Sequence, residues 1–542
     1  MSASSDPKPA PSPPSTPRTP VPDPFSTPAS SRPASSRSLR PRTAASSSSL
    51  SGTSAISASG TSPIPRSILH LPASAPGTRF SSNLSSPAPA TPNANASARS
   101  HSGLPLPPKK LPRMRSHMIP DGQAFPKPWL ERPSPRATFS YYLTYALIFV
   151  GAVLGAVQTY FQYKGVELDR KELCLVLDEN FENPERVFAS GPNNDGTFFR
   201  EVNMDGFGNG EFEMTTASAN NSFVRDGKLY IVPTLTSDSI GRDAVFDGTV
   251  YNITGCTFNI TRPNQGYIWR DGQKVFDTAS YLRSCSMVSN ATAGLVINPV
   301  QSARLTTRYS ASIRYGRVEI RAKMPEGDWM WPAIWMLPRD EVYGPWPRSG
   351  EIDIVESRGN GIRYTAHGAN YVQGALNWGP APFLNGASKS YSWWTDRRKK
   401  FNEDFHTYAL EWTESFLRIY VDTRLHTLLD LRFNKPFFER GEFPEVVFNG
   451  SSLVPLQNPW INGTNATPFD QEFYLILNVA VGSTNGWFPE GQGNKPWLDR
   501  AQNPLLDFAK AEAQWYPTWP STAEKRGMVV DYVKMWKHCD GS

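Results

Sequence analysis

Gly350-Glu351-Ile352-Asp353-Ile354-Val355-Glu356 carries three carboxylates within six residues, separated only by Ile and Val. The β-branched spacing reads as a buried strand. A buried strand is a costly place for acids, because desolvation and mutual repulsion both penalise their charged forms. In a regular strand, residues two apart share a face. Glu351 and Asp353 therefore point the same way, while Glu356, an odd five positions from Glu351, points the other way. One extra residue in a β-bulge at Ile354 or Val355 brings Glu356 back to the same face.

With that bulge, the outer pair of carboxyls is expected to stand about 5–5.5 Å apart, the separation of a retaining glycosidase. The arrangement assigns roles. Glu351 is the candidate nucleophile, Glu356 the candidate acid/base, and Asp353 the acid between them that hydrogen-bonds the nucleophile. Two other readings compete. Calcium also gathers acids, but it draws on loop carbonyls rather than on alternate residues of an apolar strand. A surface ion-pair ladder needs basic partners, and here Arg348 and Arg358 only flank the run.

Outward from this run, strand-like patches recur between Gly, Pro, Asn and Asp. Residues 316–323 alternate Val318, Ile320 and Ala322 against Arg317, Glu319 and Arg321, a half-buried strand. Residues 407–412, 416–421, 473–481 and 529–536 behave similarly, and residues 507–514 are the one short helix expected. Many strands and few helices predict an all-β antiparallel sandwich from residue 171 to 542. Indoles are dense in its second half, several of them beside Gly, Pro or Asn. Flat rings exposed in a cleft suit the C–H faces of sugars, so composition leans toward a carbohydrate ligand.

The region before residue 171 differs. The first 136 residues hold 16 of the 55 Lys and Arg and 4 of the 49 Asp and Glu, so a +12 segment precedes a −6 body. Residues 1–136 are rich in Ser, Pro and Ala and read as a disordered tail. Their dispersed Arg lack interleaved aromatics, so no nucleic-acid partner is expected. Residues 137–163 contain no charged side chain and carry Tyr toward both ends. They read as one transmembrane signal-anchor helix contacting membrane lipid. Lys109, Lys110, Arg113 and Arg115 tip the charge balance toward a cytosolic N-terminus. The expected topology is single-pass type II, in the ER/Golgi or plasma membrane, with the body lumenal or extracellular.

The body carries sequons at Asn220, Asn252, Asn259, Asn290, Asn449, Asn462 and Asn465, candidate glycosylation sites in that topology. Its four cysteines, 174, 256, 285 and 539, suit an oxidising compartment. Three pairings are open. The favoured one joins Cys256 to Cys285, a short loop, and Cys174 to Cys539, start to end. Zinc is the rival reading, but the spacing has no close pair and His538 is the only adjacent ligand.

The acidic run resembles the active-site strand of glycoside hydrolase family 16, Glu-X-Asp-X-X-Glu in its bulged form. The likeness extends to residues 324–337, 346–360, 478–489, 495–497, 515–519 and 533–536. They are similar to the branch that holds laminarinase-like enzymes and β-1,3-glucan recognition proteins. The resemblance implies a concanavalin-like jelly roll and β-glucan as substrate. It assigns Glu351, Asp353 and Glu356 the three roles above, and Trp331, Trp335 and Trp487 to sugar binding. Asn377 stands where related segments often have His, and as an amide it can bond a sugar hydroxyl but take up no proton. Some members of the branch have lost the catalytic glutamates and only bind.

The overall layout also resembles fungal wall-assembly proteins of the killer-toxin-resistance group, which act in β-1,6-glucan formation. Three functions therefore stay open: an anchored endo-β-glucan hydrolase, a transglycosylase or wall-assembly factor, and a glucan-binding module without turnover. No cofactor is expected. A structural calcium is common in related folds, although no acid cluster points to one.

Overall fold

The computed structural model describes residues 134–191, 196–261 and 266–539, together with 122 and 126–128. Most of the expected tail, residues 1–136, lies outside them. Everything below belongs to the unit Ala124–Ser542.

The apolar segment forms one helix, α1 (Pro135–Gly165), two residues longer at each end than expected. Pro135 opens it, where a missing N–H costs nothing. By length and composition α1 is sufficient to cross a membrane, and none of its residues is buried.

The body is a sandwich of an eight-stranded and a nine-stranded sheet, counted among the described residues. Seven strands of the larger sheet build the site and are labelled in chain order. They are β1 (Phe198–Glu201), β2 (Arg304–Thr306), β3 (Met330–Pro338), β4 (Glu351–Ser357), β5 (Tyr371–Asn377), β6 (Tyr391–Thr395) and β7 (Phe473–Val481). Their spatial order is β6-β5-β4-β3-β7-β2-β1. The other sheet centres on Gly316–Lys323, between His406–Trp412 and Met528–His538.

Binary patterning explains the layers. Val318, Ile320 and Ala322 are fully buried, while Arg317, Glu319, Arg321 and Lys323 alternate outward. They face Ile352, Val355, Leu475, Leu477 and Val479 of the larger sheet, in one core cluster. Strand β7 is buried along its whole length, because it is central in its sheet and covered on both faces.

Much of the indole surplus belongs to this core: Trp329, Trp378, Trp412, Trp497 and Trp515 are among its largest fully buried side chains. The expected short helix is split, with Pro504–Lys510 and Glu512–Trp515 separated at Ala511.

Cys174 pairs with Cys539 and Cys256 with Cys285. The first bridge reinforces a strand pairing, Leu173–Glu179 against Met528–His538. The second lies in an excursion not foreseen from the sequence. There Asp247–Asn252 pairs with Ser286–Asn290, and Ile253 and Phe258 pack against Val202 and Met214. Asn220, Asn252, Asn259, Asn290, Asn462 and Asn465 are all exposed; the side chain of Asn449 is not described.

Candidate active site

The acidic run is strand β4, and its pairing departs from regular register where the odd spacing requires it. Asp353 pairs with Trp335 and Val355 with Ile334, leaving Ile354 as the extra residue. On the other side the register shifts between Asp353 and Glu356. Ile352, Ile354 and Val355 are fully buried, so the apolar residues of the run go to the core. Glu351, Asp353 and Glu356 are left on the opposite face, with Asp353 4% exposed and the two glutamates half-buried.

Directly paired residues of a sheet share a face. A single row can therefore be traced across the face that carries the acids. Glu201 pairs with Arg304, Arg304 with Asn478, and Asn478 with Ala333. Ala333 pairs with Glu356, Glu356 with Gln373, and Gln373 with Trp393. The row crosses all seven labelled strands, with the carboxylates toward one side of its middle.

Each carboxylate is held by donors from neighbouring strands or loops. Asn377 Nδ2 donates to both Glu351 Oε1 and Asp353 Oδ2, each at 2.8 Å. Its Oδ1 accepts from Asn385 Nδ2 at 2.6 Å, so both polar atoms of Asn377 are engaged within the protein. Asn377, expected at the sugar, links two acids in the structure. Trp346 Nε1 donates to Glu351 Oε2 at 3.0 Å. Glu356 accepts from Trp331 Nε1 and Gln373 Nε2, both at 3.0 Å.

Of the three indoles expected to meet sugar, Trp331 is 7% exposed and lies flat on Trp487, with ring centroids 4.7 Å apart. Trp487 is fixed from behind by Arg358, whose guanidinium sits 4.0 Å from its ring and donates to its carbonyl at 2.6 Å. Trp335 is partly exposed; its Nε1 donates to Asn478 Oδ1 at 2.8 Å, and the Arg304 guanidinium lies 4.7 Å from its ring. Arg304 is held in turn by Glu201 at 2.8 Å.

The electrostatics follow from crowding and burial. Burial, then repulsion from Glu356, pushes Glu351 up to about 7, against the opposing pull of the Trp346 bond and Arg304. Asp353 is raised well above the carboxylate range, first by burial and then by Glu351 and Glu356. Glu356 is raised by burial, with Gln373, Trp331 and Arg358 acting the other way. The hydrogen bond between Asp353 and Glu351 lowers Glu351 and raises Asp353, as it does when the proton sits on Asp353 and is donated to Glu351. The three titrate as a coupled set. Trp346, Gln373, Asn385 and Arg304 were missed from the sequence. Trp346 and Asn385 come from loops, and nothing local marks any of the four. Among the described residues, no group of three or more His, Cys, Asp or Glu is arranged to hold a metal ion.

The structure is a β-sandwich with three acids gathered on one face of one strand, and comparison with known proteins gives its family. The model of "Glycosyl hydrolases family 16" matches residues 273–445. A "Beta-1,3-glucan-binding protein" of Penaeus monodon is 38% identical over 370 residues, covering 67% of this chain and 90% of that protein. "Glucan endo-1,3-beta-glucosidase A1" of Niallia circulans is 31% identical over 280 residues, 51% of this chain and 29% of that protein. The solved laminarinase of Rhodothermus marinus is 24% identical, covering 69% of this chain and 100% of that chain with a TM-score of 0.39. The chain belongs to glycoside hydrolase family 16.

Proposed function

We propose that this protein is a membrane-anchored, retaining endo-β-glucanase acting on β-1,3 or mixed β-1,3/1,4 linkages. The observation that carries the reading is the bulged strand with all three acids on one face, each accepting hydrogen bonds from neighbouring residues. Glu351 attacks the anomeric carbon as the glycosidic bond breaks. Glu356 gives its proton to the departing sugar oxygen. Water, deprotonated by Glu356, then releases the sugar from Glu351. Asp353 stays protonated and donates to Glu351, lowering the cost of its charge. Trp331 and Gln373 orient Glu356. We assign α1 as a signal-anchor that leaves residues 1–136 cytosolic and the cleft lumenal or extracellular. The exposed sequons and the two disulfides support that side, and a role in cell-wall polysaccharide metabolism fits it.

A second reading is a glucan-binding protein without turnover. It is favoured by the name of the Penaeus relative, which records binding. The full chain, purified in detergent and incubated with β-1,3-glucan oligosaccharides, separates the readings. Shorter products that disappear in Glu351→Gln support hydrolysis. Longer products demonstrate transfer to a sugar acceptor. Binding with no new products in either protein leaves the module reading standing and removes the enzymatic one.

A further inference from the structure

The row of paired residues that passes through Glu356 does not end at the acids. Two strands further on it reaches β6, the last strand on that side of the sheet. Residues 391, 393 and 395 of β6 are exposed, while 392 and 394 are half-buried. Trp394 packs inward on His426, with ring centroids 4.4 Å apart, and so anchors the strand. Tyr391 and Trp393 are on the same face as the acids, opposite Ala375 and Gln373, and remain 39% and 42% exposed. Edge strands ordinarily carry charge or proline on their exposed positions. This one carries two large, partly exposed rings.

The rings form a platform. Tyr391 and Trp393 are 5.9 Å apart with planes inclined by 28°, and Trp393 lies 6.2 Å from Tyr371 at 34°. His367 lies flat on Tyr371 at 4.2 Å and 15°. His367 holds a left-handed backbone, φ 71°. The platform is also wired to the acids. Tyr371 Oη donates to Gln373 Oε1 at 3.1 Å, and Gln373 Nε2 donates to Glu356 Oε2 at 3.0 Å. Two strand spacings, about 9.5 Å, separate the platform from β4.

We propose that Tyr391 and Trp393, backed by His367 and Tyr371, form a distal sugar-binding subsite for the same β-glucan chain that lies over the carboxylates. Continuity selects the occupant: the rings share a face and a register row with Glu356, so a polysaccharide crossing the strands runs onto them. This deepens the glucanase reading and rests on it for the ligand. The subsite makes affinity depend on chain length, because short glucans cover the acids without reaching β6.

The test uses the full-length protein in detergent, with binding and turnover measured for β-1,3-glucans from the disaccharide to long soluble laminarin. The proposal expects Tyr391→Ala/Trp393→Ala to weaken long-chain binding about tenfold, the scale of two aromatic contacts, and to leave the disaccharide unchanged. Trp393→Phe, which keeps a flat ring, should retain most of the long-chain advantage, and an unshifted unfolding midpoint excludes a folding defect. Equal affinity of the wild type and the double variant for long chains overturns the subsite while leaving the glucanase reading intact. Length-dependent binding that the variant loses, with no turnover in the wild type, keeps the subsite and removes the glucanase. Binding at no length removes both.

Discussion

Asn377 donates to Glu351 at 2.8 Å from the position directly opposite it in the neighbouring strand. The same nitrogen reaches Asp353, so one amide ties two acids that would otherwise repel. Asn385 fixes the amide from its oxygen side and leaves the nitrogen no choice of orientation. Asn377→Ala should lower kcat about 10- to 100-fold with a smaller change in KM, because a hydrogen bond to a charged group contributes roughly 1.5–3 kcal/mol. Steady-state kinetics on a soluble β-glucan measure this, and a pure KM effect would return Asn377 to a sugar-binding role.

After burial, repulsion from Glu356 is the largest influence holding Glu351 up. Glu356→Gln removes that charge, so Glu351 should ionise more readily and its titration should move below about 7. An aryl β-glucoside with a good leaving group needs no proton from Glu356, so the variant keeps its first step. The acidic limb of that pH profile should move to lower pH than in the wild type. An unmoved limb means the two carboxylates are not coupled.

Trp331 acts in the opposite sense, since its indole N–H stabilises the charged form of Glu356. Trp331→Phe keeps the ring against Trp487 and loses only the donor. Glu356 should hold its proton to higher pH, carrying the basic limb of kcat/KM upward, with about a tenfold fall in rate at the optimum. A loss of glucan affinity with unchanged limbs would instead make Trp331 a sugar-stacking residue.

Stability should depend on pH through the same cluster. The folded state holds Glu351 at about 7, against 4.5 as its ordinary value. Below 4.5 both folded and unfolded chains carry the proton, and folding is unpenalised. As pH rises through 4.5 to about 7 the unfolded chain releases it first, so stability falls across that window and levels above it. The unfolding midpoint should decline over this range, and Glu351→Gln should flatten the decline. A midpoint that climbs over the same range would contradict the raised folded-state titration.

The Cys174–Cys539 bridge closes a separation of 365 residues and clamps the two terminal strands of the body. Replacing both cysteines by Ser should cost about 2–5 kcal/mol through the freer unfolded chain. Calorimetry of wild type and variant, with and without reductant, measures it. Glucan turnover below the lowered midpoint should be unchanged, because neither cysteine lies in the row that carries the acids.

The sandwich was legible in residues such as Val318, Ile320 and Ala322, because alternation is a local property that a strand cannot hide. The acids were legible too. The odd spacing between Glu351 and Glu356 demanded the bulge that strand pairing locates at Ile354. The excursion around Cys256 and Cys285 was not legible, since its short strands lack clear alternation and close on residues far away in sequence. Nor were Trp346, Gln373 and Asn385, whose types and neighbours are those of any loop or strand.

The sequence by itself determined which residue types share a strand and which of their faces is apolar, and with them the acids on β4. Only the tertiary structure decided that Asn377 bridges Glu351 and Asp353, that Trp331 and Gln373 hold Glu356, and that one row runs from Glu201 to Trp393. The reason is physical. Burial patterning is set within a few residues, whereas a hydrogen bond between strands depends on register. Register is fixed by the packing of the whole sheet, including strands such as β7 that contribute few atoms to the site.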